Sequence, residues 1–266
     1  MIVKEIITSL NNKRIKNIQH LQKPKERKQQ ELFVIEGIKE IEKAVKMNYF
    51  FETVFFCNEI VSLGGLEKLL QKNTTAEIIE VSKAVYEKIA YRENSGGVVV
   101  LAKPQNIVLQ EIKLKENPLI LVIEGVEKPG NLGAILRTAD AAAIDAVIVC
   151  DNQTDIYNPN VIRASIGCVF TVPIAVTNSE TAIKWLKTNN IKIYSTYLEA
   201  AIPYSSINFK EKSAIVFGTE SVGISDIWVK NSDKNIIIPM KGEADSLNVS
   251  TSSAIIIFEA LRQRNF

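Results

Sequence analysis

The residues of this 266-residue chain whose types and spacing bear on chemistry fall in three short stretches of its second half. The first runs Glu124-Gly125-Val126-Glu127-Lys128-Pro129-Gly130-Asn131 and on to Arg137, from an apolar segment through a Gly/Pro loop into an Ala-rich one. Asn131 is placed either to cap a helix or to bind a ligand. Arg137 is placed either to grip a phosphate or to stand in solvent. The second is Phe217-Gly218-Thr219-Glu220-Ser221-Val222-Gly223-Ile224-Ser225. Gly218 and Gly223 have the separation of a phosphate loop, but Ile224 stands where such a loop needs lysine, and Glu220 would repel a triphosphate. The stretch is therefore a ligand loop of another kind or a turn that needs glycine, with Ser225 placed to cap the next helix. The third is Ile238-Pro239-Met240, followed by Ser246-Leu247-Asn248-Val249-Ser250. It gathers polar side chains at a helix entrance, where they can bind a ligand or simply act as caps.

Other chemistries are poorly supplied. The one histidine is His20, and Cys57, Cys150 and Cys168 form no C-x-x-C pair. A His-rich metal site, a zinc cluster and a Ser-His-Asp triad not using His20 all lack their ligands, and a reducing, cytoplasmic compartment fits. No G-x-G-x-x-G follows a strand, so an ordinary dinucleotide fold has no support. No apolar run reaches the roughly 18 residues of a membrane span, and Met1–Leu10 lacks a signal-peptide core.

The elements that must position these residues alternate. Apolar, β-branched runs predict strands at Leu32–Ile35, Thr53–Cys57, Glu77–Val81 and Gly97–Ala102 in the first region. Helical periodicity lies between them, and an N-terminal helix capped by Ser9 carries Ile15, Ile18 and Leu21 on one face. Polar residues 105–117 read as a linker. The alternation then restarts with strands at Pro118–Ile123, Ala146–Cys150, Phe170–Val176, Ile191–Thr196, Ala214–Phe217 and Asn235–Ile238, and a helix over Val249–Arg264. Such alternation predicts an α/β protein with a parallel or mixed sheet, in which ligands sit beyond the strands' carboxyl ends. The three polar stretches each follow a predicted strand.

Charge divides unevenly. The chain has 32 basic and 30 acidic side chains. Residues 1–28 hold eight basic and two acidic ones, among them Lys13, Arg14 and Lys16, which points to an anionic partner or to a solvated helix face.

Together the three stretches resemble the signature motifs of the SPOUT class of methyltransferases, and more closely the SpoU/TrmH family of RNA ribose 2′-O-methyltransferases. The match lies in Asn131-Leu132-Gly133 with Arg137, in Phe217-Gly218-Thr219-Glu220 with Gly223 and Ser225, and in Ile238-Pro239-Met240 with Ser246-Leu247-Asn248-Val249-Ser250. Residues 1–104, with Phe33-Val34-Ile35-Glu36-Gly37 and Gly96-Gly97-Val98, are similar to the ribosomal-protein-like RNA-binding domain, of the L30e/L7Ae kind, that many members carry. The resemblance implies a methyltransferase domain over 118–266 whose parallel sheet ends in a deep trefoil knot. It implies S-adenosylmethionine held through backbone groups at Gly218, Ile238 and Leu247, and a homodimer with the site near the subunit interface. It gives Arg137 the central catalytic role, with Asn131, Glu220, Ser246 and Asn248 orienting it, the ribose or the cofactor. Lys13, Arg14 and Lys16 would then contact RNA, with large-subunit rRNA favoured over tRNA. The competing readings are a non-catalytic RNA-binding assembly factor and a base methyltransferase of the same fold.

Overall fold

The structure, a computed structural model, describes residues 2–71, 75–91, 95–151, 154–199, 201–219 and 222–264. It divides into two compact units, Met1–Gln105 with Asp155–Thr171, and Asn106–Thr154 with Val172–Phe266.

The first unit opens with β1 (Val3–Ile7), α1 (Lys13–His20), α2 (Pro24–Gln30), β2 (Phe33–Glu36), α3 (Ile38–Lys46), β3 (Phe51–Phe56), α4 (Leu63–Leu70), β4 (Glu77–Val81), α5 (Lys83–Ile89) and β5 (Val98–Ala102). The sheet order is β1-β4-β3-β5-β2, with β5 antiparallel to both its neighbours and the other pairings parallel. Ile15, Ile18 and Leu21 pack with Phe55, Ile79 and Val99 in its core, as their shared helical face requires. The cap of α1 is Asn12, whose side chain accepts from Arg14 N, and not Ser9. Ser9 lies one turn too early and instead accepts from Asn11 N. Pro24 does not merely interrupt the pattern: it is the first-turn residue of α2, where a missing N–H costs nothing.

The second region runs β6 (Leu119–Glu124), α6 (Pro129–Ala141), β7 (Ala146–Cys150), α7 (Pro159–Ala164), α8 (Cys168–Thr171), β8 (Ile174–Thr177), α9 (Ser179–Thr188), β9 (Lys192–Thr196), β10 (Ile202–Pro203), β11 (Ser213–Phe217), α10 (Asp226–Asn231), β12 (Lys234–Ile237) and α11 (Val249–Gln263). Its seven strands form one sheet in the order β10-β12-β9-β11-β6-β7-β8, with every pairing parallel. β6, β7 and β11 are buried at every position, which explains their apolar sequences, broken only by Glu124 at the end of β6 and Ser213 at the start of β11. From β9 the chain passes outward to β10, returns to place β11 between β9 and β6, and goes out again to β12. This crossing order accommodates the threading that the resemblance implies.

Two stretches read differently in space. The predicted strand Phe170–Val176 is the end of α8 followed by β8, because Pro173 has no N–H to give a ladder and separates the two. The polar stretch 105–117 is not wholly solvated, since Leu109 and Ile112 are buried in the second unit's core and Ile107 bridges to Ala175.

α7 and α8 belong with the first unit. There Arg27, almost fully buried, donates to Asp155 at 2.6 Å and to the carbonyls of Leu21 and Gln22. Tyr157 stacks on Phe33, with ring centroids 4.3 Å apart. Lys43 donates to the carbonyl of Ile166.

Candidate active site

Four loops at the carboxyl ends of β6, β9, β11 and β12 shape the second unit's main cavity, a cleft of about 670 Å³, and a smaller recess beside it. A parallel sheet concentrates loop backbone at that end, and a cleft of this size suits a cofactor-sized ligand. Gly218, Ile238 and Leu247 all line the cleft, with Thr219, Gly223, Ser246 and Asn248. The recess shares Gly218, Thr219 and Val249 with it and adds Glu127, Lys128 and Asn131.

The loop after β11 is pinned across its base. Thr219 N donates to Gly223 O at 2.9 Å, and Gly223 N returns a bond to Thr219 O at 3.1 Å. This brings backbone so close that a Cβ on Gly218 would lie 2.0 Å from Gly223 O. Glycine is therefore required at 218 by close approach, and at 223 by a φ of +71°. Glu220 lies outside the described residues.

The other site residues are placed unequally. Asn131 is not the cap of α6. Lys128 holds that position with Pro129 at the first helical residue, so Asn131 sits inside the first turn. Its Oδ1 accepts from Asn248 Nδ2 at 3.3 Å. Asn248 also caps α11, its own Oδ1 accepting from Ser250 N at 2.9 Å. The first and third motifs thus meet through one amide pair. Ser246 is exposed on the cleft and donates to Asp245 at 3.2 Å. Arg137 is exposed on α6, lines neither cavity, and has no hydrogen bond or ion pair among the described residues.

The sequence reading overlooked Glu124, the last residue of β6. It is buried, and it accepts from both the N–H and the hydroxyl of Ser225. Ser225 stands at the cap position of α10 but makes no capping bond, because its hydroxyl is committed to that carboxylate. A carboxylate closing an otherwise apolar strand, Leu119–Glu124, was the available signal. The adjoining Cys150 thiol is pushed well above its usual range, first by burial and then by Asp151 and Glu124, so it stays protonated and is no nucleophile.

In the basic N-terminal segment the three named cations part company. Arg14 is bound to Glu77 by two bonds of 2.6 and 3.1 Å. Lys13 and Lys16 are exposed and have no partner among the described residues. The Arg14 pairing raises the guanidinium's pKa and holds Glu77 below the usual carboxylate range, with Lys4 assisting.

S-Adenosylmethionine fits this cleft on two observations. Its walls offer aliphatic surface from Ile236, Ile238 and Leu247, and they add the carboxylates of Glu199 and Asp245. Among the described residues no cluster of His, Cys, Asp or Glu is arranged to hold a metal, and no helix is long and apolar enough to cross a membrane.

Comparisons with known proteins agree with this geometry. Residues 118–258 match the SpoU rRNA Methylase family, and residues 12–100 match the MRM3-like substrate binding domain. A Bacillus subtilis protein named 23S rRNA (guanosine(2553)-2′-O)-methyltransferase RlmP is 30% identical over 256 residues, covering 95% of this chain and 97% of its own. A solved AdoMet-bound rRNA methyltransferase from Sinorhizobium meliloti superposes with a TM-score of 0.90 at 30% identity, covering 98% of each chain. A solved RNA 2′-O ribose methyltransferase is 38% identical with a TM-score of 0.83, covering 98% of this chain and all of its own.

Proposed function

The chain belongs to the SpoU rRNA methylase family, and on that premise we propose that it methylates a ribose 2′-hydroxyl of large-subunit ribosomal RNA, in the cytoplasm and as a homodimer. The observation that carries this reading is the meeting of the three motif loops in one chain. Gly218, Ile238, Leu247 and Asn248 line one cleft, and Asn131 reaches Asn248 from the neighbouring recess. Residues 1–104 would bind the RNA and residues 118–266 would carry the chemistry, a division supported by the separate family matches.

S-Adenosylmethionine, when bound, supplies a methyl group already activated by its sulfonium. The chain's own task is to place the hydroxyl and manage its proton, and orientation of this kind is worth up to roughly 7–11 kcal/mol. Gly218, Ile238 and Leu247 would hold the donor. Ser246 and the Asn131–Asn248 pair would orient the ribose or the donor, and Glu220 is assigned the same kind of task by its motif. A guanidinium has no acceptor and is no base, so Arg137 would serve as a clamp for the neighbouring phosphate and a stabiliser of charge developing on the 2′-oxygen.

Arg137 stands outside both cavities of its own chain, which supports assembly with a second copy. Arg137→Lys tests the mechanism. Turnover on RNA should fall about ten- to hundred-fold while donor affinity is kept, because the guanidinium fork is lost but the charge remains. Near-normal turnover would remove Arg137 from the reaction. Mapping ribose methylation in cellular RNA with and without the protein tests the target.

A further inference from the structure

Glu124 holds the loop after β11 from below, although none of the three motifs assigns it a task. The residue is buried, only 8% exposed. One oxygen accepts from Ser225 N at 2.8 Å, and the other accepts from Ser225 Oγ at 2.5 Å. A carboxylate only accepts, and burying one is costly unless donors surround it. Both donors here belong to a single residue, so the pair fixes orientation as well as distance.

The support continues behind this contact. Ser179 Oγ lies 3.2 Å from Glu124 and 2.6 Å from Asp151. A hydroxyl has one proton, and the shorter distance assigns it to Asp151. The Ser179 oxygen in turn receives the indole N–H of the fully buried Trp228, at 2.8 Å. Trp228 follows Ser225 by three residues, in the first turn of α10. The downstream end of the loop is therefore tied at Ser225 and at Trp228. The upstream end is tied by the paired backbone bonds of Thr219 and Gly223. Beside these ties, Gly218, Thr219, Val222 and Gly223 face the cleft.

We propose that Glu124 is the positioning residue of the donor loop, setting through Ser225 the height at which Gly218 and Thr219 meet the methyl donor. The inference rests on the reading of the cleft as the donor site. Glutamine at 124 keeps one oxygen for the Ser225 N–H and turns an NH₂ toward Ser225 Oγ, which must then accept, so two charge-assisted bonds become neutral ones and the hydroxyl bond is reversed. Alanine at 225 removes only the hydroxyl bond and keeps the N–H bond. Threonine at 225 keeps both donors.

The experiment is calorimetric titration of each full-length variant with S-adenosylmethionine. It is paired with kcat and KM on in vitro transcribed large-subunit rRNA and with thermal melting. Glu124→Gln should weaken donor binding about ten-fold or more, as loss of the charge assistance in both bonds implies, while the KM for RNA is unchanged. Ser225→Ala should weaken it about three- to ten-fold with only a modest fall in melting temperature, because the carboxylate keeps the N–H bond. Ser225→Thr should stay within about two-fold of the parent. The double variant Glu124→Gln/Ser225→Ala should bind no more weakly than Glu124→Gln alone, because both changes act on one contact. Unchanged donor affinity in a folded Glu124→Gln protein would overturn the proposal and leave only a structural role. So would additive losses in the double variant. If Glu124→Gln does not fold, full donor affinity in Ser225→Ala overturns it equally well. A parent protein that binds no S-adenosylmethionine would instead overturn the functional reading on which the inference stands.

Discussion

The basic segment at the start of the first unit and the loop cluster of the second unit spend their polar residues in opposite ways. In residues 1–28 the two arginines are consumed by the fold: Arg14 holds Glu77, and Arg27 is buried against Asp155. The exposed lysines Lys13, Lys16, Lys23, Lys25 and Lys28 have no partner among the described residues. In the loop cluster the relation is reversed. Asn131, Asn248, Ser225 and Glu124 are all tied to one another or to backbone, while the exposed Arg137 and Lys241 have no side-chain partner among the described residues. A contact with a phosphate backbone needs mobile positive charge and tolerates redundancy. A site that aligns two reacting groups needs fixed geometry and tolerates none. On the proposed function, unpaired lysines would serve diffuse attraction in one region, and tied Asn, Ser and Glu side chains fixed placement in the other.

This contrast can be broken at its strongest point first. Gly218→Ala places a Cβ 2.0 Å from a backbone oxygen, which no side-chain movement relieves. Donor binding measured by calorimetry should be lost altogether. An alanine variant that binds normally would show that the loop is not held closely. Next, Asp155→Ala strips a buried guanidinium of its carboxylate in the first unit. Denaturant unfolding should show a loss of about 3 kcal/mol, at the lower end for a broken buried pair because two carbonyls still accept from Arg27. A loss under about 1 kcal/mol would place Arg27 among the interchangeable surface cations.

Smaller effects sharpen the other side. Replacing Lys13 and Lys16 together by glutamine should reduce the salt slope of RNA binding by about 1.4, from two single-strand phosphate contacts, with donor binding unaffected. An unchanged slope would remove α1 from the RNA surface. The smallest effect is on pH. Glu77 is held below its unfolded carboxylate range by Arg14 and then Lys4. Its stabilising contribution is therefore complete above the ordinary glutamate range and is lost as pH falls through the lowered value. Glu77→Gln should lower stability at neutral pH and flatten that part of the acid limb, as followed by melting temperature against pH. An acid limb of the same shape would show that Glu77 is not a source of it.

Part of this was legible from residue order because it depends on local chemistry. Glu77–Val81 and Ala146–Cys150 have the bounds that their apolar runs predict, and Asn158-Pro159 opens α7 as cap and first helical residue. The opposite error comes from the same source. β1 was missed because Val3-Lys4-Glu5-Ile6-Ile7 is a half-exposed edge strand with a weak alternation. The predicted strand Phe170–Val176 runs through the end of α8 because Phe170 and Val172 suit either state, and Pro173 marks where the helix gives way to β8.

What the sequence determined by itself is the set of motifs, their order behind strands and the charge of the first 28 residues, since spacing and composition are properties of the chain alone. What only the tertiary structure decided is which groups are free to act. Arg14 and Arg27 differ from Lys13 and Lys16 through partners 63 and 128 residues away. Glu124 acquires its task from a serine 101 positions later. Hydrogen bonds and burial between residues so far apart exist only once the chain has folded, so no local pattern can carry them.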